Sequence, residues 1–410
     1  MLVLNGKNFF SVLKESLTSD KNLLISGIAF ILFGIATQFT ANYPDALVYF
    51  KKHLLYIAIG IPFFLFFATV ELKFILRYSM ILHIISIILL IIVLLSGGRV
   101  HRWIYLGNFQ FQPSEIAKLT LIVFIPRLLS RKPGIYTLRD SSVSFLVAGI
   151  TAGLVLIEPD FGTAVIIFLI FMGIYSGYGL SQSTFFLIIS PLLSVIFSFH
   201  IVTYTVFFVF LIGVVLASRR KFILTIILLL LNIGVGLTTP VLWNMLKPYQ
   251  KARLLVFLNP YKDPTGSGWH IIQSKISIGS GGLLGKGYLK GQLKTLKFIP
   301  MKNTDFVFSV IGEELGFIGT FLLIALYTYF LIRVLDVALK SRGRFTRLIG
   351  LGIFFYFFFH FVVNVGMCLG LLPVVGLPLP FLSYGGTNLV ISLSLLGLML
   401  NLKRNQYEYI

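Results

Sequence analysis

The sequence predicts an all-α, polytopic integral membrane protein, a helical bundle of about 10–12 transmembrane helices with one large extracytoplasmic loop. Of its 410 residues, 57% are hydrophobic and only 12% are charged, and the mean hydropathy is +0.94. Soluble domains carry about 25% charged residues, so this composition excludes an ordinary soluble protein.

Twelve apolar runs are long enough to cross a bilayer once tilt and interfacial ends are allowed for. The runs at 143–157, 185–199 and 203–217 are short, so ten or eleven crossings remain open. The twelve runs are 23–40, 53–70, 78–95, 114–130, 143–157, 163–180, 185–199, 203–217, 222–245, 306–332, 348–372 and 379–402.

The distribution of Lys and Arg predicts the orientation, because cationic segments resist translocation. With the N-terminus inside, nineteen Lys and Arg residues fall in cytoplasmic segments and four in the short outer loops. Both termini are therefore expected in the cytoplasm of a bacterial inner membrane, with 246–305 outside. The N-terminal 22 residues are polar, so no cleavable signal peptide is expected, and the first apolar run is interpreted as a membrane span.

The loop 246–305 is strongly basic: from Leu246 to Lys302 it has ten cations and a single acid, Asp263. Since these cations lie on the outer side, nucleic acid is excluded as a partner, and an anionic lipid or lipid-linked phosphate is favoured. The single cysteine, Cys368, lies in an apolar run, which excludes an intrachain disulfide and argues against a thiol nucleophile.

Prolines and glycines on both sides of Asp263 predict irregular backbone there. The runs 270–278 and 289–297 have apolar residues at helical spacing beside lysines, which predicts a short basic helix in the headgroup layer. The glycines at 279–287 do not match a nucleotide-binding loop, because Ser280 and Gly287 stand where that motif needs Gly and Ser or Thr. Close approach to a lipid phosphate, or a turn, remains open.

Several charged residues lie within or beside the predicted spans. Glu115 and Lys118 are three residues apart after a helix start at Pro113, so they share a helix face. A structural ion pair and a functional site are equally favoured for them. Asp160 is interpreted as a helix N-cap, with metal binding together with Glu158 as the alternative.

The C-terminal third adds three polar features. Asp305 is also interpreted as a helix cap, and Glu313 and Glu314 are candidates for facing a polar cavity. His360 and Asn364 share a helix face, which predicts an interhelical hydrogen bond. The Pro- and Gly-rich segment 373–386 cannot be regular helix, and broken backbone at membrane depth is tolerated mainly where it lines a cavity.

Together these motifs resemble the SEDS family (shape, elongation, division and sporulation) of peptidoglycan glycosyltransferases, and they are closest to its rod-shape-determining RodA type rather than its division FtsW type. The matching segments cover most of the chain except 1–95 and 181–221. They are GGRVHRWIYLGNFQFQPSEIAKL (97–119), EPDFGTA (158–164), YQKARLLVFLNPYKDPTGSGWHIIQSKISIGSGGLLGKG (249–287), NTDFVFSVIGEELGFIG (303–319) and NVGMCLGLLPVVGLPLPFLSYGG (364–386).

The resemblance assigns roles to individual residues. Asp263 matches the family's essential outer-loop aspartate, and Arg253 matches a family arginine before it. Glu115 and Lys118 match a family pair, and Asp160 matches the aspartate of the family's PD-x-GT segment. The chain departs from the family pattern at four positions, which argues against a role for them: Asn259, Glu158, Met301 and Asn303.

The resemblance also implies one SEDS-type membrane domain over 1–410, with 246–305 as its catalytic loop. Because family members typically have ten spans, the hairpin at 185–217 is expected to be an insertion.

The implied function is polymerisation of lipid II into glycan strands during cell-wall elongation, with inversion at the anomeric carbon and polyprenyl pyrophosphate as leaving group. Asp263 is the expected general base. Pyrophosphate leaves readily, so one carboxylate suffices where glycoside hydrolysis uses two. The expected substrate-binding residues are Arg253, Lys262, Gln273, Lys275, Asp305 and Ser383, and the expected structural or cavity-lining polar residues are Glu115, Lys118, Asp160 and Asn364.

No residue is assigned as a metal ligand, although Mg²⁺ or Mn²⁺ remains a possible cofactor. The expected partners are lipid II and lipid-linked glycan, a class B penicillin-binding protein and other cell-elongation membrane proteins. Two alternatives belong to other classes: a lipid II flippase, with its indispensable acids inside the bundle, and a scaffold for a cell-wall transpeptidase, which would tolerate the loss of Asp263.

Overall fold

The computed structural model describes residues 8–42, 46–96, 102–106, 109–130, 138–179, 182–218, 222–245, 251, 256, 259–262, 268–291 and 303–408. Within these ranges the chain is predominantly helical, and each of the twelve predicted apolar runs overlaps a helix. The elements are α1 (Phe9–Ser19), α2 (Lys21–Ala41), α3 (Ala46–Thr69), α4 (Leu72–Leu95), β1 (Ile104–Leu106), β2 (Phe109–Phe111), α5 (Pro113–Ser130), α6 (Leu138–Ile157), α7 (Phe161–Ser176), α8 (Gln182–Phe197), α9 (Ile201–Ala217), α10 (Phe222–Met245), a 3₁₀ turn (Pro260–Lys262), α11 (Trp269–Ser280), α12 (Val307–Lys340), α13 (Arg344–Cys368) and α14 (Gly386–Arg404).

Among the described residues, eight helices are long and apolar enough to cross a membrane: α2, α3, α4, α6, α10, α12, α13 and α14. The other four of the twelve predicted spans fall short for two reasons. α5 has three charged residues, and α7, α8 and α9 have only 16 or 17 residues. The fold class is confirmed, and the two short strands form an antiparallel hairpin that the sequence did not predict.

The chain divides into two compact units, one of Met1–Ile174 with Pro260–Ile410 and one of Tyr175–Asn259. The second unit contains α8, α9 and α10, whose core includes Leu187, Phe207 and Leu211. Asn232 of α10 crosslinks this unit through hydrogen bonds with Ser194 Oγ (2.7 Å) and Ser190 Oγ (3.0 Å) of α8. The expected insertion at 185–217 lies within this unit and stays a prediction.

In the first unit, α14 is almost entirely buried and packs most extensively on α3. Small residues allow the close approach: a Cβ atom at Gly397 would lie 2.3 Å from the carbonyl oxygen of Phe64. At the far end of α14, Asn401 donates hydrogen bonds to the carbonyls of Phe67 and Val70, at 2.8 and 2.6 Å. These contacts make α14 the central helix of the first unit.

The glycine-rich segment after α11 packs against a kink in α12. The kink is at Gly316, whose φ of 65° interrupts the helix. Two N–H groups after the kink donate to loop carbonyls, and two carbonyls before it accept from loop N–H groups, so backbone groups freed by the kink find partners. These bonds join Phe317 N to Gly282 O (2.8 Å), Ile318 N to Leu283 O (3.1 Å), Lys286 N to Glu313 O (3.0 Å) and Gly287 N to Glu314 O (3.0 Å).

This docking bears on two expectations about the loop. Residues 281–284 form a turn that is held against α12, which is one of the two alternatives for 279–287, and close approach to a lipid phosphate stays a prediction. The predicted helix is present over 270–278 as part of α11, but residues 289–291, at the start of the second run, are a turn residue followed by chain without regular secondary structure. The remainder of that run lies outside the described residues.

We expect Gly281→Ala to destabilise the protein by about 1–3 kcal/mol, because the added methyl group overpacks the contact between the loop and α12. A Cβ atom at Gly281 would lie 2.1 Å from the carbonyl oxygen of Gly312. Gly279→Ala is the matched control, since a Cβ atom there meets nothing within 4 Å. Thermal unfolding in detergent checks the pair, and equal melting temperatures for the two variants would contradict the packing described here.

Candidate active site

The helix starts of α5, α7, α12 and α14 meet at one end of the first unit, called here the loop end because α11 and the segment 369–385 also lie there. Gln112, just before α5, joins three of these elements. Its backbone N–H donates to Thr387 Oγ1 of α14 at 3.1 Å, and its Nε2 donates to Asp160 Oδ2, before α7, at 3.1 Å. Helix N-termini carry partial positive charge, so this end of the unit favours anions.

Asp160 caps α7, as the sequence predicted. Its Oδ1 accepts the backbone N–H of Thr163 at 3.2 Å, and its Oδ2 accepts the Thr163 hydroxyl at 2.9 Å. The turn before it is held by Arg102, which donates to the carbonyl of Glu158 at 3.1 Å and to that of Pro159. Asp160 therefore fixes the start of α7 with its carboxylate.

Glu158 is fully buried in this turn, and neither carboxylate oxygen has a hydrogen-bond partner among the described residues. Burial raises the pKa of Glu158 to about 8, with the Asp160 charge adding to the shift and Arg102 opposing it. The sequence argued against any role for this position. The structure corrects that view, because a buried, unpaired acid influences folding stability.

We expect Glu158→Gln to change the pH dependence of stability. The pKa of Glu158 in the folded state lies above its ordinary value of 4.5, so the folded protein binds this proton more tightly than the unfolded chain does. Wild type should therefore lose stability relative to the variant as pH rises from about 4.5 through about 8, by a few kcal/mol in total. Denaturation at several pH values measures the difference. Glu408→Gln, at an exposed glutamate, is the control, and parallel curves for wild type and Glu158→Gln would contradict this account.

Asp305 lies against the irregular segment at the loop end, since a Cβ atom at Gly376 would be 3.2 Å from its Oδ2. Burial raises the pKa of Asp305 to about 6; a Thr304 hydrogen bond and Arg102 oppose this shift, and the Asp160 charge adds to it. The predicted capping role is wrong, because the N-cap of α12 is Phe306 and no side chain caps that helix. The carboxylate instead faces the neighbourhood of Asp160.

The segment 369–385 is non-helical, which confirms the predicted irregular backbone of 373–386 up to the start of α14 at Gly386, and several side chains hold it in place. Asn364 Nδ2 donates to the carbonyls of Asp305 (2.9 Å) and Leu377 (2.7 Å), and Ser383 Oγ accepts the N–H of Leu379 at 2.8 Å. Asn364 therefore joins α13 to the turn before α12 and to the non-helical segment rather than to another helix, and the Ser383 hydroxyl is engaged within the segment.

A second group of amides anchors the residues just before α12. Gln38 Nε2 donates to the carbonyls of Asn303 (3.0 Å) and Leu382 (2.8 Å), and Asn303 Nδ2 donates to Asn42 Oδ1 at 2.8 Å. The N–H of Tyr384 also donates to the Asn303 carbonyl, at 2.8 Å. The sequence-based argument against a role for Asn303 is wrong, because this residue joins the end of the loop to α2 and to the segment 369–385.

α11 brings two predicted substrate-binding residues to the same end. Ser274 fastens the helix by donating to the Cys368 carbonyl at 2.6 Å and by a 2.6 Å hydrogen bond with Ser309 Oγ. Lys275 is exposed and lies across the end of α13, where a Cβ atom at Gly370 would be 3.1 Å from its Nζ. Gln273, two residues earlier, is partly exposed.

Glu115 and Lys118 lie deeper, in a buried network that joins α5, α13 and α14. Lys118 Nζ contacts Glu115 Oε1 at 2.8 Å and His360 Nε2 at 3.0 Å, while His360 Nδ1 lies 2.8 Å from the Tyr356 carbonyl. That geometry places the imidazole proton on Nδ1, so Nε2 accepts a hydrogen bond from the ammonium. Asn388 completes the network by donating to Glu115 Oε2 at 3.2 Å. The ion pair, one of the two alternatives for Glu115 and Lys118, is present, and the predicted interhelical contact of His360 is confirmed.

The predicted base Asp263 and the predicted anion-binding Arg253 lie outside the described residues. Lys262 ends the 3₁₀ turn, which packs against α11, and Asp263 follows it directly in the chain.

The described part of the chain contains no group of three or more His, Cys, Asp or Glu side chains arranged to hold a metal ion. The alternative of a metal site at Glu158 and Asp160 therefore gains no support there.

Sequence reasoning missed Arg102, Gln112 and Asn388, which hold the acids of the loop end and the buried network. The sequence did contain a signal for two of them. Gln112 is an amide just before a predicted helix start, and Asn388 is an amide inside an apolar run.

The chain matches the FtsW, RodA and SpoVE family model, described as a cell cycle protein, over residues 19–205 and 187–408. It is 32% identical over 402 residues to the peptidoglycan glycosyltransferase MrdB of Escherichia coli K12, covering 97% of this chain and 96% of that protein. It is 34% identical over 354 residues to the peptidoglycan glycosyltransferase RodA of Treponema pallidum, covering 78% and 81%.

Two solved structures share the fold. One is a chain of a peptidoglycan synthase complex described as coordinating polymerization and crosslinking, with a TM-score of 0.74, 28% identity and coverage of 96% of this chain and 99% of that one. The other is RodA of Thermus thermophilus, with a TM-score of 0.63, 26% identity and the same coverage. The chain therefore belongs to the SEDS family of multi-pass bacterial membrane proteins, which includes FtsW, RodA and SpoVE.

Proposed function

We propose that this protein is a peptidoglycan glycosyltransferase that polymerises lipid II during cell-wall elongation. The observation that carries the proposal is its similarity to MrdB, a peptidoglycan glycosyltransferase, over 97% of the chain. The sequence adds a basic loop in which Asp263, the one acid between Leu246 and Lys302, matches the family's essential aspartate.

In the proposed reaction, a sugar hydroxyl of one lipid-linked chain attacks the anomeric carbon of another. The new glycosidic bond forms as the bond to the pyrophosphate oxygen breaks, and polyprenyl pyrophosphate leaves with the electron pair. Asp263 accepts the proton of the attacking hydroxyl. Attack opposite the leaving group inverts the anomeric carbon.

The charge that develops on the leaving pyrophosphate needs stabilisation, and the loop end has the groups to supply it. Lys275 is exposed there, and Arg253 and Lys262 are the other cations that we assign to this role. The helix starts at the loop end add partial positive charge. Gln273, Asp305 and Ser383 remain proposed substrate-binding residues, and the Ser383 hydroxyl also stabilises the segment 369–385.

The same proposal covers orientation, partner and cofactor. Both termini lie in the cytoplasm and the loop end faces outward, as the excess of cations in the remaining segments supports. A class B penicillin-binding protein is the proposed partner, supported by the similarity to a chain of a peptidoglycan synthase complex. A divalent cation at the pyrophosphate remains a proposal, and comparing Mg²⁺ with EDTA in the assay tests it.

The test is polymerisation of purified lipid II by the reconstituted protein with its cognate transpeptidase. Glycan strands on a gel are the expected product. Absence of polymer from an assembled, folded wild-type complex would overturn the proposal and bring lipid II transport or scaffolding forward. The site does not favour transport, because Glu115 and Glu313, two acids of the transport hypothesis, are each paired with a lysine.

A further inference from the structure

The short helix α1 is separated from the membrane span α2 by a single residue, Asp20. The backbone of Asp20 is extended (φ −144°, ψ 92°), and this residue is both the C-cap of α1 and the N-cap of α2. Its Oδ1 accepts the backbone N–H of Leu23 at 3.0 Å, and its Oδ2 pairs with Arg333 of α12 at 2.6 Å. Because this corner is fixed on both sides, α1 does not continue the axis of α2.

α1 instead packs on the ends of α3 and α14, at the end of the first unit opposite the loop end. Ser16 Oγ donates to the carbonyl of Ala68, in the last turn of α3, at 2.7 Å. Arg404, the last residue of α14, donates to Ser16 Oγ at 2.7 Å and to the Val12 carbonyl at 3.3 Å. Membrane spans begin or end where the hydrocarbon core meets the headgroups, and α2 begins at α1 while α3 and α14 end there. α1 therefore lies at the level of the headgroups.

The side chains of α1 fall into three sectors around the helix axis, at about 100° per residue. The first sector faces the protein and contains Val12 (6% exposed) and Ser16 (0% exposed). The second, called here the apolar sector, contains Phe9, Phe10, Leu13 and Leu17. The third is polar and contains Ser11, Lys14, Glu15 and Thr18. Among the described residues the protein leaves the apolar sector largely uncovered, since Phe10 is 80% exposed.

Two observations indicate that lipid covers the apolar sector. The lipid-facing surface of α2 starts next to α1, because Ile25 and Ile28, in its first two turns, are 63% and 46% exposed. Lys14 is exposed and lies at the border between the polar and apolar sectors, where its apolar stem can follow the acyl chains while its ammonium reaches lipid phosphates. A helix packed on a protein in water needs only a buried side and a wet side, whereas three sectors match a helix that faces protein, lipid and water.

We propose that α1 is an in-plane membrane anchor, whose apolar sector inserts among the acyl chains of the leaflet opposite the loop end and whose Lys14 lies at the phosphate groups. Through Ser16 and Arg404 the anchor holds the ends of α3 and α14 at a fixed depth in the membrane. The inference is separate from the proposed polymerase chemistry, and its test does not depend on that activity.

The test is electron paramagnetic resonance of the full chain in liposomes of phosphatidylethanolamine and phosphatidylglycerol, with a nitroxide label on Phe10→Cys or on Ser11→Cys. The native Cys368 is fully buried, and wild type treated with the label in parallel gives the background. Oxygen concentrates in the acyl chains, whereas a water-soluble nickel complex stays outside them. The ratio of oxygen to nickel collision rates should be severalfold higher at position 10 than at position 11.

Leu17→Cys and Thr18→Cys form a second matched pair two turns along α1, which keeps the proposal testable if either variant of the first pair fails to fold. Position 17 should resemble position 10, and position 18 should resemble position 11, because only one sector is inserted. Equal ratios within each pair would show that α1 lies wholly in water or wholly in lipid. Labels at positions 10 and 17 that are shielded from both reagents would show that protein, such as a second copy of the chain, covers the sector. Either result overturns the proposal.

Discussion

Asp263→Asn should reduce lipid II polymerisation by at least about 100-fold, because general-base catalysis typically contributes 10²–10⁴-fold. The substitution keeps the size of the side chain and removes its ability to accept the proton of the attacking hydroxyl. The assay is initial-rate polymerisation by the complex of wild type or variant with the transpeptidase. Retained binding of the transpeptidase shows that the loss is chemical.

Asp336→Asn is the matched control for that experiment. It makes the same chemical change in the distal half of α12, where Asp336 pairs with Lys340 at 2.7 Å, far along the helix from the loop end. Its rate should stay within about twofold of wild type, as expected for a surface ion pair. Undiminished polymer from Asp263→Asn would remove Asp263 from the mechanism and favour a base elsewhere at the loop end.

Lys118→Ala should destabilise the protein by about 3–5 kcal/mol, because it leaves the carboxylate of Glu115 buried without its cation. The side chain of Lys118 is fully buried and that of Glu115 is 3% exposed, so water cannot replace the lost partner. Denaturant unfolding in detergent, monitored by helix content, measures the change. Loss of the network should also reduce lipid II polymerisation. The network joins α5, α13 and α14, and the ends of these helices meet at the loop end.

Two further variants distinguish an unpaired charge from simple loss of packing. Lys340→Ala removes a lysine from a pair in which that side chain is 62% exposed, and it should cost at most about 1 kcal/mol. The double variant Glu115→Gln with Lys118→Met removes both charges and should recover part of the stability lost in Lys118→Ala. A double variant as unstable as the single one would indicate that packing, rather than charge, dominates.

Local sequence patterns were sufficient for much of the architecture. Hydrophobic run length located the helices, since a bilayer requires a minimum apolar length whatever the packing. Pro113 and Asp160 marked helix starts correctly, because capping depends on neighbouring residues. The segment 373–386 was recognised as irregular from its prolines and glycines alone.

The errors have a common origin in contacts between distant residues. Asp305 has the residue type and position of a cap, yet the backbone before α12 turns so that Phe306 is the N-cap and the carboxylate faces Gly376. Glu158 and Asn303 were discounted as departures from the family pattern, although one is a buried unpaired acid and the other anchors the loop to α2.

By itself, the sequence determined the membrane class, the position of the helices, the expected orientation, the family resemblance and the identity of Asp263 as the candidate base. These properties depend on composition, run length and short motifs, which are local in the chain. The tertiary structure decided which polar groups meet: Gln112 with Asp160, Lys118 with His360, and the glycine-rich loop with the kink at Gly316. Such pairings depend on how helices distant in sequence pack together, and the spacing of residues along a single helix does not specify its neighbours.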